Sequence, residues 1–221
     1  MHLPNKASDS FKATLPQNNF IMHKAFSILK ADLENTITLE PELWEQLCEK
    51  AELLEIKKGD FLLTAGHVCK YGYYVNKGGF VHTYIGENGR ESVVGFSIDQ
   101  SNRFLSSAKS YYSETQSSFE IKAIQNSEVI RFLKTDLETL AGTYLSFARF
   151  YHKIVADALL NMYVFNAVRL SLSSEEFIKY LYNEYPIYLQ SIPDKYLAQF
   201  MGVSNEWFCK LKKRVVIKQT Y

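Results

Sequence analysis

At Thr135 the hydrophobic period of this 221-residue chain changes from two to 3.6, so a β-rich front half is followed by a helical back half. Upstream, Gly59, Gly66, Gly72, Gly78, Gly79, Gly86 and Gly89 punctuate short runs such as Tyr73-Tyr74-Val75 and Phe80-Val81-His82-Thr83-Tyr84-Ile85. The tetrad Glu87-Asn88-Gly89-Arg90 lies between two such runs, and Asn and Gly both tolerate positive φ, which predicts a hairpin. Residues 119–124 and 128–132 read as strands around the turn Gln125-Asn126-Ser127. Short strands at this spacing predict a sandwich or roll. Two short helices are expected ahead of it, one over residues 25–35 and one capped by Thr38 with Pro41 in its first turn.

Downstream, Leu137, Leu140, Tyr144, Phe147, Tyr151, Ile154, Ala158 and Met162 keep steps of three or four residues, and no proline follows until Pro186. The pattern predicts one helix over residues 135–168, roughly 45 Å long at the standard rise. Such a helix is too long for one small roll to cover, and few other long helices exist to complete a bundle. It is expected to pack against a copy of itself, through Leu140, Tyr144, Phe147, Tyr151, Ile154 and Ala158. The predicted fold class is α+β. A jelly-roll-like β-roll spans 22–134, the dimerisation helix 135–168 and a helical domain 169–221, with residues 1–21 a flexible tail of no assigned role.

Charge is uneven along this layout. Residues 1–190 carry 19 basic and 22 acidic side chains, whereas residues 191–221 carry six basic against two acidic. A basic tail on a slightly acidic body suits a DNA-binding module joined to a regulatory one. Cys48, Cys69 and Cys209 are too few and too scattered for a disulfide framework or a metal cluster, and read as reduced thiols of a cytoplasmic protein. No run reaches the roughly 18 apolar residues of a membrane span, and no secretory signal is expected.

The segment from Pro193 to Lys213 carries the chemistry. Two helices crossing steeply need a small residue where their backbones approach, which Ala198 supplies. Four residues on, Gly202 permits positive φ at the turn, Val203 plugs the corner and Ser204 is a good N-cap. Leu197, Met201, Phe208 and Leu211 are spaced to face a shared interior. In a helix-turn-helix the start of the second helix enters the major groove. Asn205, Glu206 and Lys210 are then the candidates for base edges, where Asn suits adenine, a carboxylate accepts from cytosine and Lys donates to guanine. Lys212, Lys213 and Arg214 are expected at phosphates.

Residues 25–215 resemble the Crp/Fnr superfamily, the cyclic AMP receptor protein-like regulators, in a short variant that ends soon after the recognition helix. Four stretches carry the resemblance: Ile56-Lys57-Lys58-Gly59-Asp60-Phe61-Leu62-Leu63, Ala65-Gly66-His67-Val68-Cys69, residues 124–130, and Ile192-Pro193 through Lys213. The resemblance implies a DNA-binding homodimer that works with RNA polymerase and answers to a small-molecule effector. Glu206 matches the family's early acidic residue on the recognition helix, Lys210 replaces its Arg, and Trp207 stands where Ser or Thr is usual. Cyclic-nucleotide-binding members resemble one another in a Gly-Glu-Leu turn and an Arg-Ser pair. Here Gly95-Phe96-Ser97-Ile98-Asp99-Gln100 leads into that segment and Gln116-Ser117-Ser118 stands where the pair would fall. Without the arginine a buried phosphate lacks its charged partner, so control by cyclic AMP is not expected. Phe96, Arg103, Ser117 and Ser118 are the candidates to line a pocket for another effector. Neither Cys48 with Cys69 nor the dispersed His67, His82 and His152 makes a metal set, and no cofactor is expected. Two other readings compete: a ligand-sensing or scaffolding protein whose helix-turn-helix serves protein contacts, and a metal-dependent β-barrel enzyme.

Overall fold

The computed structural model describes residues 26–219, with side chains through Val215. Two short helices, α1 (Ser27–Glu34) and α2 (Pro41–Lys50), lead into eight strands. These are β1 (Ala51–Ile56), β2 (Phe61–Leu63), β3 (Tyr71–Lys77), β4 (Gly79–Ile85), β5 (Glu91–Ile98), β6 (Phe104–Leu105), β7 (Phe119–Ala123) and β8 (Ser127–Leu133). A six-residue helix, α3 (Ala108–Ser113), interrupts them after β6. Then come α4 (Lys134–Thr143), α5 (Leu145–Ser171), α6 (Ser174–Glu184), α7 (Pro186–Ser191), α8 (Asp194–Met201) and α9 (Asn205–Gln219).

The strands form two antiparallel sheets, ordered β1-β8-β3-β6 and β2-β7-β4-β5. Consecutive strands β7 and β8 therefore change sheets at the turn Gln125-Asn126-Ser127 instead of pairing, whereas β4 and β5 form the hairpin expected at Asn88-Gly89. Leu54, Ile56, Leu62, Tyr73, Val75, Phe80, Ile121 and Val129 fill the space between the sheets. Alternation along β4 sends Phe80 into this core and its neighbour Val81 to the opposite face. The turn between β3 and β4 requires a glycine. At Gly78, φ is +93° and an added Cβ would fall 2.3 Å from Ser127 Oγ.

The helix expected over 135–168 is broken. Tyr144 is extended (φ −113°, ψ 112°), which ends α4 and starts α5 at a new angle. Gly142 weakens the last turn of α4, and the Thr139 and Thr143 hydroxyls bond back to carbonyls four residues earlier. Gln46 on α2 then donates to the Tyr144 hydroxyl at 3.0 Å, holding the corner. The second expected helix also starts differently. Glu40 rather than Thr38 precedes its first turn.

The seam expected to meet a second copy is spent on the chain's own roll. Leu140 and Phe147 are buried with Tyr74, Ile130 and Phe132, against which Tyr144, Tyr151 and Ile154 also pack. Farther along α5, Phe165 and Val168 pack against the C-terminal helices. Between and opposite these contacts the helix is bare. Ala158 is exposed, and so are Val155, Leu159, Leu160, Met162, Tyr163, Val164 and Leu170. Leu159 is 59%, Tyr163 75% and Leu170 81% exposed, far beyond what large apolar side chains tolerate singly in a folded core.

The C-terminal helices dock on the outward face of the second sheet. Val81, Val93, Phe96 and Ile98 share one core with Phe177, Ile178, Leu181, Leu197, Phe200 and Phe208. Phe96 lies edge-on to Phe200 and Tyr188, with ring centroids 5.5 and 5.9 Å away. Among the described residues no helix is long and apolar enough to cross a membrane.

Candidate nucleic-acid interface

The helix-turn-helix is built as its residue types require. Ser173 and Glu176 form a reciprocal capping box that starts α6. Tyr185-Pro186 ends it, and Phe177, Ile178 and Leu181 give a buried floor. On that floor sits α8, with Leu197 and Ala198 buried. At its end Gly202 takes φ +69°. Its N–H donates to the Gln199 carbonyl at 3.1 Å and the Val203 N–H donates to the Ala198 carbonyl at 3.0 Å. These paired bonds satisfy the last carbonyls of α8 and reverse the chain within two residues. Ser204 then caps α9, its hydroxyl oxygen accepting from the Trp207 N–H at 3.1 Å.

This corner decides which side of α9 faces outward. Phe208, Leu211 and Val215 are buried in the shared core. Asn205, Glu206, Lys210, Lys213 and Arg214 are all exposed. Hydrogen bonds from its own backbone N–H and from the Ser204 hydroxyl lower the Glu206 pKa, helped by the Lys210 charge, so its carboxylate stays ionised as an acceptor.

Lys212 departs from expectation. It turns inward, where its ammonium sits 2.7 Å from Asp194 Oδ1 and 3.3 Å from the Leu189 carbonyl oxygen. Its charge serves the joint between α8 and α9. Spacing alone missed this, although an acidic residue in the first turn of α8 was the available signal. The sequence reading also passed over Phe200 and Tyr188 as the anchors that fasten this motif to the roll.

The four effector candidates do not converge. Phe96 is in the core between roll and helices. Arg103 reaches α1, with its Nε 3.6 Å from Asp32 and its guanidinium 3.5 Å from the Tyr74 hydroxyl. Ser117 is buried, with its hydroxyl 2.8 Å from that of Ser107 and accepting the Phe119 N–H at 2.9 Å, while Ser118 is exposed. The roll interior satisfies its own polar groups elsewhere too. His82 meets the Ser97 hydroxyl at 3.0 Å, Asn102 donates to the same oxygen at 3.2 Å, and burial lowers the His82 pKa to about 4, keeping the ring neutral. Cys48, Cys69 and Cys209 are free thiols, and no three His, Cys, Asp or Glu side chains converge for a metal among the described residues.

No family model matches the sequence, and no curated protein matches it. Solved structures do. FixK2 from Bradyrhizobium japonicum is similar with a TM-score of 0.65, over 76% of this chain and 86% of its own, at 14% identity. CLP, the c-di-GMP responsive global regulator of Xanthomonas campestris, gives 0.62 over 81% and 93% at 15% identity. A protein described as a Crp/Fnr-family transcriptional regulator, from Eubacterium rectale, gives 0.62 over 88% of both chains at 11% identity. The fold is therefore that of Crp/Fnr regulators: a cyclic-nucleotide-binding-like roll followed by helices.

Proposed function

We propose that this protein is a sequence-specific DNA-binding transcription regulator that acts as a homodimer and is not controlled by cyclic AMP. The observation that carries this reading is the outer side of α9. Ser204 and Gly202 set the helix, three apolar side chains anchor it, and Asn205, Glu206, Lys210, Lys213 and Arg214 are left to solvent. Entering a major groove, the first turns bring Asn205, Glu206 and Lys210 to base edges. Lys213 and Arg214 take phosphates.

The bare strip of α5 supports the dimer. Leu159, Tyr163 and Leu170 lie opposite the residues that α5 spends on its own chain, with Val155 and Met162 exposed beside them, and a second α5 packed along this surface would remove it from water. This strip replaces the Leu140-to-Ile154 seam as the proposed dimer face. The absence of an arginine beside Ser117, together with the Ser107–Ser117 bond that occupies that hydroxyl, argues against a cyclic phosphate there.

Selection from random duplexes by the purified protein tests the reading. Enrichment of an inverted repeat, with half-sites about 34 Å apart, is expected. Recovery of no common sequence would reject it in favour of a helix-turn-helix used for protein contacts.

A further inference from the structure

We propose that Trp207 is a second DNA-contacting element of α9, its indole packed on the deoxyribose wall of the groove while Arg214, held over its face, pairs with the adjoining phosphate. The inference rests on the duplex-binding reading above and deepens it.

Among the described residues of α9, Phe208, Leu211 and Val215 are buried, and Trp207 alone of the large apolar side chains is exposed, at 42%. Its backbone N–H is the group that Ser204 caps, which sets the position of its Cα, and the Arg214 guanidinium carbon lies 5.5 Å from the centre of its ring. A cation over an aromatic face is attracted by the ring quadrupole, which holds both planar groups in one orientation before any partner arrives. Residues 207 and 214 are seven apart, two turns along one flank of the helix. That flank lies between the outer side, with Glu206, Lys210 and Lys213, and the buried side, with Phe208 and Leu211. When the outer side of a helix faces the floor of a groove, its flank faces the wall, and the wall of a DNA groove is sugar and phosphate. A planar apolar ring suits the sugar C–H surface, and a guanidinium suits the phosphate beside it.

Two kinds of contact follow, and they differ in their response to salt. An apolar contact to sugar releases no counterion, whereas a phosphate contact releases about one. The chain has two tryptophans, and Trp44 is only 8% exposed, so emission that acrylamide can quench belongs to Trp207.

The test uses the full chain and a duplex recovered by selection. Saturation with duplex is expected to change the quenchable emission and protect it from acrylamide. Trp207→Ala should weaken binding roughly tenfold with the salt slope unchanged, and Trp207→Phe should restore most of that loss. Arg214→Ala should lower the slope of log affinity against log salt by about one. Duplex bound at full affinity by Trp207→Ala and Trp207→Phe, with acrylamide quenching unaltered in the unmodified protein, would overturn the proposal while leaving duplex binding in place. Failure of the unmodified protein to bind any duplex would remove both.

Discussion

Lys212 Nζ lies 2.7 Å from Asp194 Oδ1, and that ion pair ties α9 to the start of α8, the helix before it. Lys213, its neighbour in sequence, points outward. Two adjacent lysines thus do different work because one residue of helix turns a side chain by about 100°. Lys212→Ala is expected to lower stability by up to about 1 kcal/mol, as for other half-exposed pairs, and to leave the salt dependence of duplex binding unchanged. Lys213→Ala should leave stability unchanged and reduce the salt slope by about one. Urea melts and binding titrations at several salt concentrations separate the two.

Gly202 is held at φ +69°, and a Cβ built there meets nothing within 4 Å. The cost of Gly202→Ala is therefore backbone strain without a clash, about 1 kcal/mol. The variant should fold, and its melt should shift by only that amount. A much larger loss would mean that the turn packs more tightly than its surroundings show.

The two sides of the long helical region should respond oppositely. Leu140 is fully buried against the roll, so Leu140→Ala should cost about 2–5 kcal/mol of stability. Leu159 and Tyr163 face solvent in the single chain, so Leu159→Glu with Tyr163→Glu should leave each protomer folded and shift sedimentation from dimer to monomer. A dimer that survives the double substitution would place the interface elsewhere.

His82 adds a pH dependence of known sign. Its pKa falls from 6.5 to about 4 because burial disfavours the imidazolium. Between those values the unfolded chain binds a proton that the folded chain does not, so stability falls as pH falls through that window and levels off below it. The loss between pH 7 and pH 5 is at most about 2 kcal/mol, the limit set by the difference between the two pKa values. His82→Gln should flatten the pH profile of urea melts over this range.

Much of the fold was legible in local chemistry. The Asn88-Gly89 hairpin and the Gly202 corner each depend on residues within a few positions of one another, and each formed. What was not legible depends on distant partners. The break at Tyr144 is held by Gln46, nearly a hundred residues earlier. The apolar seam through Leu140 and Phe147 was real, but periodicity reports that a face is buried and cannot say by what; the roll covers it. Phe96 looked like a pocket residue because of the turn beside it, and Phe200 and Tyr188 on helices far down the chain enclose it instead. Lys212 shows the same limit within the site, since its charge was visible and its partner was not.

The most direct test of the account is the salt dependence of duplex binding, for the unmodified protein and for Lys210→Ala combined with Lys213→Ala. A steep fall of affinity with salt is expected; in the double variant the slope falls by about one, from the lost Lys213 phosphate contact, and affinity falls further at every salt concentration from the lost Lys210 base contact. Affinity that is insensitive to salt, or equal in the two proteins at every salt concentration, would contradict it.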